Sequence, residues 1–148
     1  MAYSYTYPRA SLTVDAAVFK KTGQQLEILL IQRKHDPYQG KWALPGGFMD
    51  MDETLEQAVH RELEEETGLK SISLEQLHAF STLDRDPRGR TVSVVFWSLL
   101  EDDSALKPGD DARDASWFSM SNLPALAFDH QEIIQMAFER AKMHVSSI

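Results

Sequence analysis

Residues 47–69 read GFMDMDETLEQAVHRELEEETGL, and the placement of the acids within this stretch decides how the rest of the chain is understood. Thr54 followed by Gln57 makes a capping box, residues 55–67 contain neither Gly nor Pro, and Gly68 stands where a helix C-cap belongs. The stretch predicts one helix. At about 100° per residue, Ala58, Val59 and Leu63 fall within about 80° of Leu55 and form a core-facing stripe. Glu62 and Glu66 land in the middle of that stripe and Glu65 on its flank, while Glu56, Gln57, His60 and Glu64 take the opposite, solvated side. Two carboxylates one turn apart on an apolar face repel each other and lose hydration unless a cation compensates them. Magnesium accepts a few carboxylate oxygens, keeps several waters and is shared with substrate phosphates. This suits Glu62, Glu65 and Glu66 at i, i+3 and i+4. The alternative for an EEE run is a solvated surface helix, and the position of Glu62 and Glu66 on the face argues against it.

The same residues match a family pattern. Gly47, Glu53, Arg61, Glu62, Leu63, Glu65, Glu66, Gly68 and Leu69 fill every fixed position of GX5EX7REUXEEXGU, with U aliphatic, so the chain resembles the Nudix hydrolases. The resemblance implies hydrolysis of a nucleoside diphosphate linked to another moiety. The implied fold is α/β, an α/β/α sandwich with a mixed central sheet, in which the motif forms loop, helix and loop. By the same resemblance Glu65 and Glu66 are the main metal ligands, Glu62 is a ligand or base, the Gly46 carbonyl joins the metal set, and Arg61 and Glu53 pair to hold the loop. Magnesium is the expected ion, with manganese as a substitute.

Composition narrows the setting. A chain of 148 residues with 43% hydrophobic content fits one domain over residues 1–148 that can bury a proper core, with residues 1–10 as an N-terminal arm. The chain has 0 cysteines, which excludes disulfide and thiolate chemistry. MAYSYTYPRAS lacks the basic start and apolar run of a signal peptide, and nothing in the sequence approaches a membrane span, so the cytosol is the simplest location. A net charge of -8, from 23 acids against 15 Lys and Arg, argues against a nonspecific grip on nucleic acid. A small anionic substrate is compatible with it, because bound ions reverse the field that a phosphate feels. Relatives in the family often pair, which makes a homodimer an expectation by resemblance.

Along the chain, strands are expected over 12–19 and 26–32, joined by a hairpin at Gly23. Arg33 and Lys34 follow, either solvated or with Arg33 on a pyrophosphate. A short strand at 42–44 leads to Pro45, Gly46 and Gly47, where glycine lets backbone approach an ion or phosphate. Further strands are expected within 72–82, over 91–100 and over 115–118, and an amphipathic helix from 131 to about 143. Between two of these strands, DRDPRGR at 84–90 is a polar loop suited to bidentate phosphate or ribose recognition or else a plain surface turn. The acidic loop at 102–113 offers Asp110 and Asp111 as candidates for a mobile base. Phe128 and His130 are either pocket or core residues.

TVDAAVF, LLIQRKHDPYQGKWALPGGF, DRDPRGRTVSVVF and LPALAFDHQEII, in that order, look like the ADP-ribose pyrophosphatase branch of the family. That narrower resemblance implies attack of water on ADP-ribose, giving AMP and ribose 5-phosphate. The catalytic set is then Glu53, Arg61, Glu62, Glu65 and Glu66, and the candidates for substrate phosphates and ribose are Arg33, Arg85, Arg88 and Arg90. Two alternatives stand beside it: hydrolysis of nucleoside triphosphates, including oxidised ones, and a non-catalytic ADP-ribose sensor, for which lost motif acids would be expected.

Overall fold

The structure, a computed structural model, describes residues 2–101 and 114–146. Its elements in order are β1 (Ser11–Thr22), β2 (Gln25–Gln32), β3 (Trp42–Ala43), β4 (Gly46–Phe48), α1 (Leu55–Thr67), β5 (Glu75–Phe80), β6 (Thr91–Leu100), β7 (Ala115–Ser119) and α2 (His130–Ser146). The candidate base residues Asp110 and Asp111 lie outside the described residues. No helix among the described residues is long and apolar enough to cross a membrane.

β1 and β2 form a hairpin because Gly23 takes φ 62, a conformation that costs glycine nothing. The main path of the sheet runs β3-β2-β1-β6-β5, with β4 also pairing to β1 and β7 to β2. β1 and β6 run parallel from Ser11↔Thr91 to Lys20↔Leu100, while the other strand pairs are antiparallel, so the sheet is mixed. Side chains alternate along β1 with period two. Val14, Ala16 and Val18 pack with Ala58, Val59 and Leu63 of α1 on one face. Ala17 and Phe19 pack with Ile133, Ile134, Ala137 and Ala141 of α2 on the other. Each fully buried large aliphatic side chain in these layers contributes about 1.5–3 kcal/mol. The result is the α/β/α sandwich with a mixed sheet that the sequence leads one to expect.

α1 has the expected boundaries. Thr54 Oγ1 accepts from the Gln57 N–H at 3.1 Å, Gln57 Oε1 accepts from the Thr54 N–H at 2.9 Å, and Gly68 closes the helix at φ 78. Elsewhere the elements shift. The expected strand over 72–82 shortens to β5, and the last helix begins one residue earlier and runs three further than expected, at His130 and Ser146. The larger difference is at Gly46 and Gly47. They form β4, in register with Asp15 and Val14, rather than an open loop. A three-residue strand has no periodicity to read, and its pairing is imposed by β1.

His130, the first residue of α2, is 4% exposed, and its Nδ1 accepts the Leu44 N–H at 3.0 Å. The helix therefore braces the turn that enters β4. Burial holds the ring neutral and pushes its pKa down from 6.5 to about 4. As pH falls from about 6.5 towards 4, the unfolded chain takes up a proton that the native ring refuses, so this contribution to stability is present above 6.5 and is lost on acidification. His130→Asn keeps an acceptor for Leu44 and removes the titration. In urea unfolding, the stability advantage of the parent over this variant is expected to shrink between pH 7 and pH 4.5; a constant difference would contradict the buried neutral ring. Thr54→Ala deletes half of the capping box and is expected to cost about 1 kcal/mol in the same assay.

Candidate active site

The acids of α1 are not equivalent. Glu62 and Glu66 are half-buried at the sheet, whereas the Glu65 side chain is 60% exposed. Glu66 Oε1 accepts the Gly46 N–H at 2.7 Å, which joins the helix to β4. Burial nevertheless pushes the Glu66 carboxyl up to about 8, with Glu62, Asp15 and Glu65 adding repulsion. The Glu62 carboxyl is also raised, again chiefly by burial and against the pull of Arg61. Both side chains thus sit where their charge is under-compensated.

Arg61 brackets this group. Its Nη2 and Nε reach Glu53 Oε1 and Oε2 at 2.7 and 3.0 Å, its Nη1 reaches Glu62 Oε1 at 2.9 Å, and Nη2 also donates to the Phe48 carbonyl at 3.1 Å. The hydrogen bond from Arg61 holds Glu53 below the usual carboxylate range. The guanidinium therefore fixes the loop before α1 as well as one wall of the acid group. The two glycines also allow a close approach within the protein. A Cβ on Gly47 would lie 2.7 Å from Glu62 Oε1, and one on Gly46 would strike the Val14 carbonyl and Asp15. What must come close is the chain itself.

Among the described residues, no three His, Cys, Asp or Glu side chains are gathered into a ready metal cluster. Glu65 extends into solvent, and Glu62 and Glu66 are engaged by Arg61 and Gly46. The donor chemistry still fits a hard cation. All the candidate donors are oxygens, and two of the carboxylates are half-buried without enough positive charge beside them.

Two cavities meet here. One of about 320 Å³ is lined by Gln32, Lys34, His35, Glu65 and Asp114. The other, of about 60 Å³, includes Asp15, Gly46, Asp86, Arg88, Phe128 and His130. Arg33 and Glu66 border both. Arg33 donates from Nε to the Pro37 carbonyl at 2.7 Å and lies 4.9 Å from the Phe128 ring centroid. Among the described residues it has no carboxylate within ion-pair distance, and burial, then Arg88, push its pKa down.

The other predicted arginines divide. Arg88 borders the smaller cavity and is gripped by Asp86, Nε to Oδ1 at 3.1 Å and Nη2 to Oδ2 at 2.8 Å. Arg85 borders it too, but its guanidinium is bidentate to Asp129 at 2.8 and 2.9 Å. Arg90 does not border it. Its Nη1 donates to the Ser81 carbonyl at 2.8 Å, closing the base of the loop.

Sequence reasoning passed over Asp15, which is 7% exposed and takes a short hydrogen bond from the Ser93 hydroxyl. Burial pushes its carboxyl up to about 7. The signal was available, since an Asp inside the apolar run LTVDAAVF is a buried acid by position. Asp129 had no such signal, because only the fold brings it to Arg85.

Comparison with known proteins agrees with this architecture. The model of the NUDIX domain matches residues 10–137. The ADP-ribose pyrophosphatase of Methanocaldococcus jannaschii is 46% identical over 129 residues, 87% of this chain and 73% of that protein. The NUDIX domain of Shewanella oneidensis NrtR, solved with ADP ribose, superposes with a TM-score of 0.81 at 38% identity, covering 91% of this chain and 90% of that one. A bifunctional NMN adenylyltransferase/ADP ribose pyrophosphatase from Francisella tularensis, solved with AMP and a manganese ion, gives 0.77 at 33% identity over 92% of this chain and 43% of that one. With a complete motif on a capped helix and a family match over most of its length, the chain belongs to the NUDIX domain family.

Proposed function

We propose that this protein is a magnesium-dependent pyrophosphohydrolase that splits ADP-ribose into AMP and ribose 5-phosphate, acting as a single domain over residues 1–148. The observation that carries the reading is the junction of the two cavities, where Arg33, with no carboxylate partner among the described residues, faces the same space as Glu66. A diphosphate lying across this junction would meet a cation and an acid at once, with room for a substituent in the larger cavity. The relatives that act on or bind ADP-ribose supply the identity of the groups it joins.

Glu62, Glu65 and Glu66, with the Gly46 carbonyl, are the residues that would hold magnesium, or manganese as in the Francisella relative. When bound, the ion neutralises charge on the diphosphate and lowers the pKa of a bound water. The rest falls to the chain. Arg33 and Arg88 bind the diphosphate and offset its charge. Arg61 and Glu53 hold the loop before α1 so that Glu62 keeps its place beside Gly47. Water attacks one phosphorus, its proton passes to a carboxylate, with Glu62 the candidate on the motif, and the bond from phosphorus to the bridging oxygen breaks. The partner is a small nucleoside diphosphate, in keeping with an acidic chain.

A magnesium-dependent panel of ADP-ribose, NADH, a diadenosine polyphosphate and plain and oxidised nucleoside triphosphates tests the substrate. ADP-ribose is expected to lead and to yield AMP on chromatography; a leading triphosphate that yields pyrophosphate would leave the metal site standing and remove the substrate assignment. Lack of turnover on every member would favour a sensor. Glu65→Gln is expected to lower kcat at least about tenfold while leaving the melting temperature unchanged, because the side chain is 60% exposed. Near-parent activity would contradict the placing of the metal on α1.

A further inference from the structure

Arg85 and Asp129 make a buried ion pair at the edge of the smaller cavity, their side chains 4% and 13% exposed. Both carboxylate oxygens are taken, at 2.8 and 2.9 Å, so this guanidinium already has its anion. Each partner has a neighbour in sequence that matters. Asp86 follows Arg85, its side chain is 3% exposed, and it accepts from the Arg88 N–H at 2.9 Å as well as from the Arg88 guanidinium. Phe128 precedes Asp129 and takes φ 52, an uncommon and costly conformation for a bulky residue. That backbone lets Asp129 stand at the start of α2 while the Phe128 ring borders the cavity, 5.5 Å from the Arg88 guanidinium. The contacts close on themselves, from Asp129 to Arg85, along the chain to Asp86, across to Arg88, onto Phe128 and along the chain back to Asp129. Arg88 also lies 4.8 Å over the Phe48 ring. One edge of its fork, Nε and Nη2, is spent on Asp86, so its position depends on where Asp86 is held.

We propose that Arg85 and Asp129 form a latch between the loop at 84–90 and α2 that positions Arg88 for an anionic substrate, neither latch residue touching that substrate. The choice of substrate rests on the ADP-ribose reading, whereas the latch itself does not. Asp129→Asn preserves volume but removes the charge of the bidentate partner of Arg85, which frees the loop from the helix. Arg88 and Asp86 would then move together. An arginine that holds a diphosphate equally in the ground and transition states, once misplaced, raises KM and spares kcat.

The ligand-free protein gives the first test. In proton–nitrogen correlation spectra, the Arg88 Nε–H signal is expected to be sharp in the parent and broadened in both Asp129→Asn and Arg85→Lys, the latter keeping the charge but losing the fork. An unchanged signal in both variants overturns the latch. Kinetics with the nucleotide that the parent hydrolyses best give the second. Asp129→Asn is expected to raise KM roughly tenfold with kcat held within about twofold, and to add nothing to the KM of Arg88→Ala. An equal rise in KM with and without Arg88 would mean that the pair acts on substrate or on general stability, and would overturn the proposal. Should Asp129→Asn fail to fold, Arg85→Lys carries the same cycle. A parent that ignores ADP-ribose would sink the functional reading alone, with the spectra still deciding the latch.

Discussion

Glu66 reaches from the apolar face of α1 to the Gly46 N–H, 2.7 Å away, and ties the helix to the sheet at a point where the sheet has no room for a side chain. A hydrogen bond to a charged group contributes about 1.5–3 kcal/mol, which does not offset the desolvation of a carboxylate that also faces Glu62, Asp15 and Glu65. The raised carboxyl of Glu66 is the mark of that deficit. Much of the local structure is arranged so that the deficit can persist. Gly46 and Gly47 stay bare because β4 runs against β1 and Glu62, and Arg61 holds Glu62 and Glu53 together so that the loop cannot relax away. On the proposed reading, these under-compensated acids are kept for chemistry rather than for stability.

The two walls of the cleft come from different parts of the fold. Its acidic wall belongs to one helix, fixed by a capping box at one end and a left-handed glycine at the other, and so is set locally. The basic wall is assembled from the end of β2, the loop before β6 and the residues that open α2. Its geometry depends on contacts between residues far apart in sequence, the bidentate pair of Arg85 and Asp129 among them. Changes in the loop or the helix start can therefore alter recognition without touching the acids.

This division explains what could be read from the sequence. Helical periodicity placed Glu62 and Glu66 on the buried face and Glu65 at its edge, as found, because α1 is regular and its caps are short-range signals. The β-rich content of β1 and β6 and the apolar stripe on α2 marked those elements for the same reason, whereas the sandwich they build was what the family resemblance implied. Four arginines in the right segments were visible as composition, but their partners were not. Asp86 lies two residues from Arg88 and Asp129 lies forty-four from Arg85, and only the fold sorts an arginine with a free edge from one already neutralised. Arg90 shows the limit most clearly, since nothing in DRDPRGR distinguishes it from Arg88 until its bond to the Ser81 carbonyl is seen. The strand at Gly46 was invisible because three residues hold no pattern.

Arg33 completes the argument about charge. It is half-buried beside Phe128, its charge is disfavoured by burial and by Arg88, and no carboxylate among the described residues pairs with it. Across the junction, Glu62 and Glu66 are disfavoured in the opposite sense. Direct pairing of the two walls would settle both deficits, yet the acids are turned to Arg61 and Gly46 instead. A lone cation would relieve only the acids, and a lone anion only the arginines. On the proposed reading, a diphosphate carrying a divalent cation would supply positive charge to one wall and negative charge to the other, so its binding would gain from both at once. A chain of net charge -8 can hold such a substrate because the positive charge that the acidic wall needs is brought in with it.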